Sequence, residues 1–136
     1  MAKKEENPST DDAVMQMLLD LSDQDGIEIG ITLNMNGTVI AGKLISPQMY
    51  YEGLILSAEN VTNSTLRQVL HKKFSDLKES FLSERQEQEK SDKEMVLTFI
   101  HLRDASYLPS SSNSISHSEA WWRGRIDSID GFSITL

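Results

Sequence analysis

Residues 26–46 read "GIEIGITLNMNGTVIAGKLIS". Ile27, Ile29, Ile31, Leu33 and Met35 alternate with Glu28, Gly30, Thr32 and Asn34, the period-2 pattern of a strand with one buried face. Asn36-Gly37 follows, a dipeptide that accepts the positive φ angles of a two-residue type I′ turn. A turn of that length sets the register: Met35 stands opposite Thr38, Leu33 opposite Ile40, Ile31 opposite Gly42 and Ile29 opposite Leu44. Both strands then send apolar side chains to the same face. A β-hairpin is expected, and the rest of the chain must cover that face.

Ahead of the hairpin, "STDDAVMQMLLDLSDQDG", residues 9–26, reads as a short helix. Ser9 or Thr10 is suited to cap it, Asp11 and Asp12 favour the positive end of its dipole, and Gly26 stands beyond its end. Val14, Met17, Leu18 and Leu21 follow the i, i+3, i+4, i+7 spacing of one apolar stripe. Residues 1–10 read as a flexible tail. After the hairpin, Ser46-Pro47 resembles a helix start. "PQMYYEGLILSAEN", residues 47–60, suits a short helix, although "LIL" at 54–56 suits a strand equally well and Gly53 weakens the helix; both readings of 48–58 stay open. From about Ser64, Leu66, Leu70, Phe74, Leu77 and Phe81 recur at three- and four-residue spacing, which predicts a longer amphipathic helix.

The last third returns to strands. "MVLTFIHLRDASYL", residues 95–108, is β-rich, and "PSSSNSISHSE", residues 109–119, holds six serines and no apolar periodicity. Asp130-Gly131 is a second hairpin signal, predicting that Trp121–Ser128 pairs with Phe132–Leu136. The expected fold is α+β: an antiparallel sheet of about five strands with an N-terminal helix and an inserted amphipathic helix, with closure into a small Sm/SH3-like barrel as one form of it. One domain is expected over 11–136, with mobile segments near 83–94 and 109–119.

Composition excludes several functions. A chain of 136 residues fits one domain that buries roughly two-thirds of its unfolded surface. Thirteen Lys and Arg against 21 Asp and Glu give a net charge of -8, which repels phosphate backbones and anionic membranes, so neither nucleic acid nor membrane is expected as a partner. With no cysteine there is no disulfide framework and no thiolate metal site. No apolar run approaches the roughly 20 residues needed to span a bilayer, and the first residues lack a signal peptide's apolar stretch. A soluble protein of the reducing cytoplasm is expected.

No chemistry of an enzyme stands out. His71, His101 and His117 fall on a helix, a strand and a loop without ligand spacing. The seven glycines form no phosphate-binding loop. "DSIDG" at 127–131 lacks the twelve-residue calcium ladder, and the serines of 110–118 lack a nucleophile elbow. No cofactor, metal or catalytic residue is expected.

The remaining feature is "AWWRGRIDSIDGFSITL", residues 120–136, where two tryptophans run into Arg123 and Arg125 of an otherwise acidic chain. In a strand Trp121 and Trp122 face opposite ways. With Trp122, Gly124 and Ile126 toward the core, Trp121, Arg123 and Arg125 share the outer face, and Trp and Arg are the side chains most enriched at interface centres. This row is the candidate partner-binding site. In the competing reading the arginines pair with surface carboxylates and Trp121 packs beneath the serine loop.

Three motifs in this order, "GIEIGITLNMNGTVIAGKLIS", "FIHLRDASYL" after a charged helix, and "WWRGRIDSIDGFSI", resemble the gas vesicle accessory protein GvpU family from Gly26 onward. The resemblance implies a small cytoplasmic protein associated with gas vesicles, the hollow protein shells that give a cell buoyancy. It implies a role in their assembly or organisation rather than as main shell component. Partners would be the shell or other gas vesicle proteins. A non-catalytic binder follows, one that attaches to vesicles and clusters them by self-association as a homo-oligomer. The alternatives are a chaperone for hydrophobic shell subunits, working through an exposed edge at Met15, Met17 and Leu19, and an Sm-like nucleic-acid binder. A fainter similarity to Sm-like barrels rests on the helix, strand, "NGTVIAGKLIS" order; the net charge and the inserted helix oppose carrying over its RNA binding.

Overall fold

The computed structural model describes residues 12–91, 97–108 and 120–136; the N-terminal tail, the serine-rich segment 109–119 and residues 92–94 of the expected connector lie outside them. Of the described residues, those up to Ser46 and from Thr98 onward make one compact unit, and those from Pro47 to Leu97 make another.

The first unit opens with α1 (Ala13–Asp25). Its cap is Asp12, whose carboxylate accepts a 2.9 Å hydrogen bond from the Met15 backbone N–H, not Ser9 or Thr10. The carboxylate satisfies one orphan N–H and also complements the dipole. Gly26 ends the helix at φ 67 with its N–H bonded to the Leu21 carbonyl, a left-handed cap that glycine adopts without strain. The buried face is displaced from the expected stripe. Met15, Leu18, Leu19 and Ser22 are buried, whereas Val14 and Met17 are about half exposed. Apolarity alone misplaced the stripe because its fourth member is a serine. Ser22 donates its hydroxyl to the Ile27 carbonyl at 3.0 Å, and Leu44's carbonyl oxygen lies at 3.5 Å, so a polar group sits inside without an unmet bond. Of the edge named for the chaperone alternative, Met15 and Leu19 are therefore buried and only Met17 is exposed.

The hairpin forms as the alternation predicts. β1 (Ile29–Met35) pairs with β2 (Thr38–Ile45) in the register Met35↔Thr38, Leu33↔Ile40, Ile31↔Gly42, Ile29↔Leu44. Asn36 and Gly37 take φ 54 and φ 84, the positive values of the type I′ turn. Ile29, Ile31, Leu33, Ile40 and Leu44 are buried. β3 (Phe99–Leu108) adds to β2. Between Lys43 and Ala41 the register shifts, and Asp104 takes φ 54 at the bulge. Gly42 faces it, and a Cβ there would lie 2.9 Å from the Arg103 carbonyl oxygen, so this close approach of two backbones requires glycine.

The end of the chain departs from expectation. β4 (Trp122–Arg125) pairs with β3, and β5 (Gly131–Thr135) pairs with β1, so the strand order is β4-β3-β2-β1-β5. β4 and β5 are the two edges rather than a hairpin. A short 3-10 turn, Ile126–Ser128, connects them. The Ile126 N–H bonds to Thr98 beside β3, and the Asp130 N–H bonds to Asn34 in β1. Four strand spacings of a flat sheet come to about 19 Å, which nearly exhausts the reach of so short a link, so the sheet has to curve. It stays open, however, and does not close into the Sm/SH3-like barrel: β4 and β5 share no ladder. The Asp-Gly signal failed because Ile126, 1% exposed, drops into the core and turns the chain toward the free edge of β1.

The second unit is a helical hairpin. α2 (Pro47–Ala58) settles the open choice at 48–58 in favour of helix, and α3 (Ser64–Lys90) begins where the periodicity predicted. Asn63 caps α3 by accepting from the Leu66 N–H at 2.9 Å. Tyr51 of α2 meets Phe81 of α3 with ring centroids 5.8 Å apart, and Glu52 pairs with Lys78 at 3.1 Å. Residues 83–90, part of the segment near 83–94 expected to be mobile, instead continue α3 as regular helix. Among the described residues no helix is long and apolar enough to cross a membrane.

Candidate functional site

The terminal stretch brings aromatic and guanidinium groups together on one side of β4. On β3, Phe99, His101 and Arg103 alternate with Ile100 and Leu102, both fully buried. The register sets Arg125 opposite Phe99, Gly124 opposite Ile100, Arg123 opposite His101 and Trp122 opposite Leu102. Side-chain alternation therefore puts Arg123 and Arg125 on the face of Phe99 and His101, and puts Trp122 and Gly124 on the core face.

Each arginine is held. The Arg123 guanidinium lies 4.1 Å from the centre of the Phe99 ring, a diagonal cross-strand stack that fixes its plane while leaving the group exposed. Arg125 binds Asp127 through two bonds of 3.2 Å. That pairing raises the arginine above its usual pKa and holds the Asp127 carboxyl below its own. Trp121 precedes β4, and Arg103 lies over its indole at 5.7 Å while reaching Glu28 at 3.2 Å. The pairing of arginines with surface carboxylates thus holds for Arg125, but not as the arrangement of Arg123.

The tryptophans do not divide into one buried and one exposed ring; both are half-buried. As an edge strand, β4 has a neighbour on one side only, so the core-facing Trp122 cannot be enclosed. The far edge of its indole lies against Gly124, where any Cβ would collide with the ring, and its Nε1 donates to the Tyr107 hydroxyl at 3.0 Å. Ile126 is the buried member, as the alternation predicted.

His101 is buried beside this row. Loss of solvation, with a further contribution from the Arg123 charge, pushes its pKa down to about 3, so the ring is neutral at neutral pH. Among the described residues no three His, Asp or Glu side chains converge as a metal site. Sequence reasoning named Trp121, Arg123 and Arg125 but missed Phe99, Arg103 and Tyr107. The period-2 alternation of "FIHLR" could have put Phe99 and Arg103 on one face; it could not say that β4 lies beside them.

No curated protein and no solved structure matches the chain. The model of one family, described as gas vesicle protein GvpU-like, matches residues 12–136. With the whole described fold and nearly the whole chain inside that match, the chain belongs to the GvpU-like family of gas vesicle proteins.

Proposed function

We propose that this protein is a non-catalytic gas vesicle accessory protein that attaches to the vesicle shell, or to other vesicle proteins, and organises vesicles into clusters by self-association. The observation that carries the attachment step is the exposed Arg123 guanidinium, stacked at 4.1 Å on Phe99, in one row with Arg125 and next to Trp121. A guanidinium already held in place loses little conformational freedom when it meets a carboxylate or carbonyl of a partner, so the contact is stronger for the same bonds. A shell presents the same subunit many times. Copies joined to one another engage that lattice at several points, and effective concentration then multiplies a weak single contact. No reacting group is needed.

Cosedimentation of the purified protein with isolated, stripped vesicles tests the attachment. The wild type is expected in the vesicle fraction and the Trp121→Ala/Arg123→Ala variant in the supernatant. Clustering is tested by imaging vesicles from cells with and without the protein; unchanged spacing, number and shape would remove the organising role.

A further inference from the structure

α3 is 27 residues long and buries none of them. At 1.5 Å per residue it extends about 40 Å, whereas the 12-residue α2 covers about 18 Å of it. α2 engages the row that carries Lys78 and Phe81. At 100° per residue a second row, Leu66, Val69, Lys73, Leu77, Ser80 and Glu84, lies beside it on the open side. All six are exposed, and the three apolar members are 48%, 47% and 50% exposed. Spacing by threes and fours over that length is the pattern of a helix-packing seam.

The charge on α3 is segregated along its length. From Ser64 to Lys78 it carries Arg67, Lys72, Lys73 and Lys78 against the single acid Asp76; from Glu79 to Lys90 it carries Glu79, Glu84, Glu87 and Glu89 against Arg85 and Lys90. This order does not serve the helix's own dipole, which favours acid at the start and base at the end. Lys72 is bound to Asp76 and Lys78 to Glu52. Lys73 and Glu84 form no ion pair among the described residues, and both lie on the open row.

We propose that two copies of this chain pair through the open row of α3, antiparallel, with Lys73 of each copy against Glu84 of the other. A parallel pair would set base on base and acid on acid; the antiparallel pair sets the basic half of one helix on the acidic half of its mate. The two-fold axis then falls between Lys78 and Glu79, Leu77 and Ser80 flank it, and the same ion pair forms twice. The surface supplies the self-association step of the function proposed above and rests on that reading only for the use to which the pair is put.

Because the chain has no cysteine, single cysteines report the geometry cleanly. Ser80→Cys in the full chain should crosslink with a short bis-maleimide, since residue 80 sits next to its symmetry mate. Val69→Cys should not, its mate being about 28 Å away along the axis. In sedimentation equilibrium Lys73→Glu and Glu84→Lys should each weaken association about tenfold, and the double reversal should restore it to within about threefold of wild type. Circular dichroism verifies that each variant keeps its helices. Crosslinking at Val69 in preference to Ser80, or a double reversal as weak as the single ones, overturns the proposal. If the wild type associates and neither reversal alters it, this surface is wrong while clustering by self-association stands. A wild type that stays monomeric at every concentration removes both, and vesicle cosedimentation then reads the attachment role separately.

Discussion

The Asp130 carboxylate accepts a 2.7 Å hydrogen bond from the backbone N–H of Asn36, a residue 94 positions earlier in the chain. The Asp130 N–H meanwhile donates to the Asn34 carbonyl at 2.8 Å. The residue that looked like the start of a second hairpin turn instead clamps the first one. Asp130→Ala should cost about 1 kcal/mol in urea unfolding, the modest worth of an exposed charged bond, and Asp130→Asn, which keeps an acceptor, less.

The two glycines of the turn signals should respond differently to alanine. Gly37 has φ 84, a conformation that alanine adopts only under strain, so Gly37→Ala should destabilise by about 1 kcal/mol or more. Gly131 has no positive φ and open space around its Cβ position. Gly131→Ala should stay within about 0.5 kcal/mol of wild type. Equal losses at the two positions would show that Gly131 sits in a turn after all.

Acid should weaken the fold through His101. Its folded pKa of about 3 lies below the unfolded value near 6.5, so the unfolded chain binds the proton more readily. Above about pH 6.5 the residue contributes no pH dependence; as pH falls from there toward about 3, stability declines by up to about 1.4 kcal/mol per pH unit. Burial is the main cause and the Arg123 charge the lesser one. His101→Leu should flatten the upper part of this slope, from pH 6.5 to 5, measured by urea unfolding at each pH against wild type. A slope unchanged by the substitution would place the proton elsewhere.

The two tryptophans should separate stability from binding. Trp122→Ala removes a half-buried ring and its bond to Tyr107, and should cost about 2 kcal/mol, below the 3–5 of a fully buried one. Gly124→Ala should also destabilise, because it displaces the same indole. Trp121→Ala with Arg123→Ala should alter thermal unfolding by less than about 1 kcal/mol while abolishing vesicle cosedimentation. A melting temperature lowered as far by Trp121→Ala as by Trp122→Ala would make both rings structural.

Legibility in the sequence followed locality. The β1–β2 hairpin, its register from Met35↔Thr38 to Ile29↔Leu44, the Gly26 cap and the start of α3 were readable, because each depends on residues within a few positions of one another: side-chain alternation, a dipeptide that tolerates positive φ, a periodic apolar row. The displaced face of α1 was not, since Ser22 is accepted in the core only where the Ile27 and Leu44 carbonyls meet it. The candidate row was half readable. Alternation put Arg123 and Arg125 together, but Phe99 and Arg103 join them only through the pairing of β4 with β3.

The contrast is sharpest between Asn36-Gly37 and Asp130-Gly131. Both dipeptides accept a tight turn, and only the first makes a hairpin. There, the flanking strands carry matching apolar rows, so folding back on themselves buries both. After Trp122–Arg125 the next apolar residue, Ile126, gains more by entering the core, and β1 offers an open edge of backbone donors and acceptors to β5. Turn propensity is a property of two residues; which strand edge is free to be paired is a property of the assembled sheet.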